Sequence, residues 1–89
     1  MNFQIKTVKF PKDSQLKIIG KSAFCNSTIQ SISIPSTVIK ISRKAFFYCK
    51  NLTNVEIPKN SELTHIGSRA FSNSSISNIF IPKKVKSIE

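Results

Sequence analysis

The chain is short of the residues on which most active sites and disulfide scaffolds depend. Its two glycines, Gly20 and Gly67, stand 47 residues apart, so no glycine-rich loop is available to cradle a phosphate. Its two cysteines, Cys25 and Cys49, form no CxxC or metal-ligand spacing and are too few for a disulfide framework. His65 is the single histidine, and the four acids, Asp13, Glu56, Glu62 and Glu89, are dispersed. Without a carboxylate pair or a nucleophile–base spacing, general acid–base and covalent catalysis lack their parts. The composition argues against an enzyme and calls for neither metal nor cofactor. No apolar run reaches the length of a membrane-spanning helix. The opening stretch, Met1 to Phe10, mixes polar residues among its apolar ones and does not read as a signal peptide.

Positive charge, by contrast, is abundant. Fourteen Lys and Arg against four acids give a net charge of +10, which favours encounter with anionic partners and says nothing about fold. The basic residues are scattered and never run longer than two in succession.

The strongest pattern is repetition. Val8-Lys-Phe-Pro11, Ile32-Ser-Ile-Pro35, Val55-Glu-Ile-Pro58 and Ile79-Phe-Ile-Pro82 are four versions of one phrase, with prolines 24, 23 and 24 residues apart. A period of that size marks a stacked-repeat architecture. Aligning the prolines brings further columns into register: Ile5, Ile29, Leu52 and Ile76 before each phrase, then Leu16/Ile19, Val38/Ile41, Leu63/Ile66 and Val85/Ile88 after it. Ala23-Phe24, Ala45-Phe46 and Ala70-Phe71 complete the unit. An apolar–x–apolar phrase buries both apolar side chains on one face of a strand, and proline ends that strand by removing a ladder donor. Strands that recur once per coil must lie parallel in adjacent coils. Gly20, Ser42 and Gly67 share a column that suits the N-cap of a short helical turn carrying Ala-Phe. The phenylalanines are expected to stack as an internal ladder opposite the strands.

The unit resembles the BspA-type leucine-rich repeat, roughly C-x-x-L-x-x-I-x-I-P-x-x-V-x-x-I-G-x-x-A-F, over residues 3–89. Its best copy is Ala45-Phe-Phe-Tyr-Cys49-Lys-Asn-Leu52-Thr-Asn-Val55-Glu-Ile57-Pro58. The other two loops after Ala-Phe are one residue shorter, and Ser27 and Ser74 stand about where the family has a buried cysteine. The resemblance implies an α/β repeat solenoid: a right-handed curved coil with a parallel sheet on its concave face and short helical turns opposite. Residues 1–89 then form one segment of about 3.5 to 4 repeats, without dedicated caps, expected to be part of a longer array or prone to end-to-end self-association. Cys49 falls in the family's buried cysteine column. Cys25 is out of register with it, one coil away, and the specific Cβ geometry of a disulfide argues against pairing them.

Function then rests on surfaces. The resemblance implies a non-catalytic protein-interaction module of a cell-surface, adhesion-type protein, binding a host or matrix protein. The residues flanking the strand apolars face outward in two columns, Thr7, Ser31, Asn54, Asn78 and Lys9, Ser33, Glu56, Phe80. They are the candidate concave-face contacts, with Phe80 the one aromatic among polar neighbours. Lys12, Lys59 and Lys83 share the column after proline and are joined by Lys84. That stripe supports an alternative, binding of a sulfated glycan or nucleic acid, although no aromatic is regularly interleaved with it. A structural spacer is the remaining option. Asn26, Asn51 and Asn73 begin N-x-Ser/Thr sequons in the loops before the strands, where glycosylation is compatible with a surface-exposed segment.

Overall fold

The computed structural model describes residues 6–77 and 79–88. Among them are seven short strands: β1 (Thr7–Val8), β2 (Ile18–Ile19), β3 (Ser31–Ser33), β4 (Lys40–Ile41), β5 (Asn54–Glu56), β6 (His65–Ile66) and β7 (Ser87–Ile88). They form two sheets, β1-β3-β5 and β2-β4-β6-β7. Every pair is parallel and joins equivalent positions of successive coils, as in Val8↔Ile32↔Val55 and Ile19↔Ile41↔Ile66. The parallel ladder expected from the repeated phrase is therefore present for its first three copies, whereas the fourth, Ile79-Phe-Ile-Pro82, forms no strand among the described residues.

The first sheet follows the alternation in its sequence. Ile32 and Val55 are buried between exposed or half-buried neighbours, Ser31/Ser33 and Asn54/Glu56. Each proline opens a tight turn: the N–H groups of Ser14, Val38, Ser61 and Val85 donate to the carbonyls of Pro11, Pro35, Pro58 and Pro82 at 3.0–3.1 Å. The two longer turns, after Pro11 and Pro58, are closed by serine. Ser14 Oγ accepts the Leu16 N–H at 3.2 Å, and Ser61 Oγ accepts that of Leu63 at 3.1 Å. Ser61 is buried, so its hydroxyl supplies a partner where the extra residues would otherwise leave a backbone donor unpaired.

The second sheet was not anticipated. The Leu-x-x-Ile spacing lacks the period of two that betrays a strand, yet its last two residues pair in every coil. In β2, β4 and β6 one residue faces inward (Ile19, Ile41, Ile66), and Ile18, Lys40 and His65 face out.

The helical turns expected around Ala-Phe are absent: no helix occurs among the described residues. In their place is a ribbon of consecutive turns. In the first coil Ala23, Cys25 and Ser27 donate to the carbonyls three residues back, Gly20, Ser22 and Phe24. The intervening N–H groups of Ser22, Phe24 and Asn26 instead donate to Arg43, Ala45 and Phe47 of the next coil at 2.8–3.1 Å. Lys44, Phe46 and Tyr48 repeat this toward Ser68, Ala70 and Ser72. A helix would spend every N–H inside its own coil. The ribbon spends half of them on the neighbour, and it does so by placing Ser22, Asn26, Lys44 and Tyr48 at φ of 57–62°; Arg69 and Asn73 hold the same conformation in the third coil. Gly20, Ser42 and Gly67 thus begin turns and are not helix caps.

The core fills the space between these three layers. Ile29, Ile32, Ile34, Val38, Ile41, Ala45, Phe46, Cys49, Leu52 and Leu63 are all at most 2% exposed, and most belong to the second coil. Phe46 lies between Phe24 and Phe71, with both centroid separations 5.2 Å and the rings within 3° of parallel. The expected phenylalanine ladder is thus formed. Stacked pairs of this kind contribute about 0.5–1.5 kcal/mol each beyond their burial. Ile5 and Glu89 lie outside the described residues.

Candidate interaction surface

The first sheet brings the predicted outward columns together as parallel rows. Thr7, Ser31 and Asn54 are in register on β1, β3 and β5, and the Thr7 and Ser31 hydroxyls lie 3.2 Å apart. Ser33 is in register with Glu56 and donates its hydroxyl to Glu56 Oε2 at 3.3 Å. Lys9 is exposed just beyond β1. Phe80, the fourth member expected of the second row, lies outside the strands of this sheet and leaves half of its surface in water, at 50%. Asn78, the remaining predicted member, lies outside the described residues.

Beside these rows, along the prolines, runs a trough. One part, of about 750 Å³, is bounded by Lys9, Lys12, Pro35, Glu56, Lys59 and Phe80 among others. A second, of about 550 Å³, is lined by Lys59, Asn60, Glu62, Phe80, Lys83 and Lys84. The two share Lys59, Asn60 and Phe80, so Phe80 stands where they meet. Lys12, Lys59 and Lys83 are exposed, and none makes an ion pair among the described residues. Lys84 does: its Nζ lies 2.9 Å from Glu62 Oε2, with both side chains more than half exposed. Ser36 occupies the second coil's place in the lysine column and interrupts it.

The opposite, turn-ribbon side carries a cluster that sequence reasoning passed over. Lys44 Nζ sits 5.2 Å from the Phe47 ring and Lys50 Nζ 4.9 Å from that of Tyr48, which is 40% exposed. The rings meet edge to face at 5.3 Å. The adjacency of Lys44, Phe47, Tyr48 and Lys50 in sequence was the available signal. Here the lysines already hold the ring faces, each contact contributing about 0.5–1 kcal/mol at an exposed site.

Among the described residues the candidate catalytic side chains stand apart. His65 is exposed on the second sheet, with Nδ1 2.8 Å from the Thr64 hydroxyl. Among the described residues no three His, Cys, Asp or Glu side chains gather as a metal site requires. Both cysteines are free. Cys49 is fully buried and donates its thiol to the Phe24 carbonyl at 3.0 Å; burial pushes its pKa above the ordinary 9.0, against a smaller lowering by the Ser27 backbone. Cys25 is half-buried. The sequon residues Asn26, Asn51 and Asn73 are all exposed. Asn26 and Asn73 recur for a backbone reason, since both hold φ near 61° and asparagine tolerates that region better than most residues. No helix among the described residues is long and apolar enough to cross a membrane.

A family model described as the BspA type leucine-rich repeat region matches residues 1–89 in six copies. A leucine-rich repeat protein from Bacteroides capillosus has a solved structure similar to this one, with a TM-score of 0.80 and 30% sequence identity. The similarity covers 92% of this chain and 65% of that protein, so the chain spans somewhat less than two thirds of its length. No curated protein sequence matches.

Proposed function

The chain belongs to the BspA-type leucine-rich repeat family, and from that premise we propose that it is a non-catalytic protein-interaction module of a cell-surface, adhesion-type protein. Leucine-rich repeats generally serve to bind proteins, and stacked coils offer an extended surface on which variable residues ride on an invariant frame. The observation that carries the reading to this chain is Phe80. It is a large apolar side chain, half in water, in the repeat column whose other members are Lys9, Ser33 and Glu56. Aromatic anchors surrounded by polar residues are where binding energy concentrates in protein interfaces.

Adhesion to a host or matrix protein is the finer form of the proposal. Immobilised matrix proteins probed with the 89-residue chain test it, read by biolayer interferometry against the Phe80→Ala variant. Binding weakened by tenfold or more on truncating Phe80 is expected, since hot-spot aromatics cost about 2 kcal/mol or more. Binding indifferent to that change would move the site off the first sheet. Absence of binding to any matrix protein would remove the adhesion role.

A further inference from the structure

We propose that the trough along the prolines binds an extended acidic peptide segment that also carries an apolar side chain. The inference rests on the interaction-module reading and names the chemistry of its partner. The floor is apolar: Pro35, Pro58 and Pro82 with the exposed face of Phe80. The rim is cationic. Lys9, Lys12, Lys59 and Lys83 are exposed without an ion-pair partner among the described residues, whereas Glu62 is held by Lys84 and Glu56 already accepts the Ser33 hydroxyl. Unpaired cations around a hydrocarbon floor fit a ligand that brings both carboxylates and hydrocarbon.

Spacing supports an extended segment. Adjacent coils lie roughly 4.8 Å apart, which separates Lys12 from Lys59, two coils on, by about 10 Å at the backbone. Three residues of an extended polyproline-II-type chain, at about 3.1 Å each and three to the turn, cover that distance and return to the same face. Acidic side chains three positions apart thus meet Lys12 and Lys59, and an apolar side chain just beyond reaches Phe80 beside Lys83. A uniformly charged polyanion suits the trough less well. Ser36 breaks the lysine column, Glu62 neutralises Lys84, and the proline floor stays unfilled beneath such a ligand.

Selection of random linear peptides displayed on phage tests the inference, run on the wild-type chain, on a Lys12→Glu/Lys59→Glu/Lys83→Glu variant and on Phe80→Ala. All four side chains are exposed, and circular dichroism checks that each variant keeps its fold. Enrichment of acidic peptides containing an apolar residue is expected, with affinity reduced about tenfold or more by charge reversal and reduced also by Phe80→Ala. Neutral or basic peptides retained equally by the charge-reversed variant would overturn the inference while leaving the module reading intact. No selected peptide at all would count against both. Heparin retained by the wild type and lost on charge reversal, with no peptide selected, would assign the trough to a polyanion and overturn the inference as well.

Discussion

Replacing Gly67 by alanine places a Cβ 2.5 Å from the Arg43 amide nitrogen and 2.8 Å from the Ser42 carbonyl carbon. Both contacts are with backbone of the preceding coil, which cannot swing aside as a side chain can. At Gly20, in the same column of the first coil, a Cβ meets nothing within 4 Å. Neither glycine has a positive φ, so the comparison isolates packing from backbone strain. Overpacking of this kind costs about 1–3 kcal/mol. A chain of 89 residues has roughly 4–13 kcal/mol to lose. Gly67→Ala is therefore expected to lower Tm by roughly 5–20 °C, whereas Gly20→Ala raises it by a few degrees by restricting the unfolded chain. Thermal and urea denaturation followed by far-ultraviolet circular dichroism read both, with equal urea slopes confirming that the folded states remain comparable. Equal Tm changes in the two variants, or an unaffected Gly67→Ala, would refute the close coil-to-coil approach at that column.

The phenylalanine ladder gives a graded test. Phe46→Ala, in the fully buried middle, should cost about 3–5 kcal/mol, and Phe24→Ala at the half-buried end clearly less; urea midpoints distinguish them. The turn ribbon gives a backbone test. Asn73 is exposed at φ 61°, so Asn73→Val should destabilise by about 1–2 kcal/mol while Asn73→Gly is neutral or mildly stabilising, an order that a helix at this position would reverse for glycine. Cys49 gives a pH test. Folding raises its pKa, so the folded state favours the neutral thiol; that stability is complete below pH 9.0 and is lost as pH rises through the raised value. Urea midpoints measured across that range should fall more steeply for the wild type than for Cys49→Ala, and a thiol reagent should modify half-buried Cys25 well before Cys49.

What could be read in the sequence was what a single coil states by itself and its copies repeat. Ile32 and Val55 alternate with polar neighbours, so their strands and register were legible, as were the buried columns and the phenylalanine ladder. The ribbon was not. Ala45 and Phe46 are ordinary helix residues, and no glycine marks the left-handed positions; Ser22, Lys44 and Tyr48 occupy them because hydrogen bonds to the adjacent coil hold them there. Those partners lie 21 or 24 residues away, beyond any local pattern. The second sheet was hidden for a related reason, since only two residues per coil pair and their identities, such as Lys40 and His65, carry no strand signature. The outward rows were legible as columns, but the trough arises from the placement of Phe80 over the proline turns, a tertiary relation.

The central claim, that recognition lies on the first sheet and its proline trough, is tested most directly by amide chemical-shift mapping. The isotopically labelled chain is titrated with the acidic, apolar-containing peptides recovered by selection. Shift changes should gather at Lys12, Ser36, Lys59, Asn60, Phe80 and Lys83. Changes gathered instead at Ile18, Lys40 and His65, on the outward row of the second sheet, would contradict it.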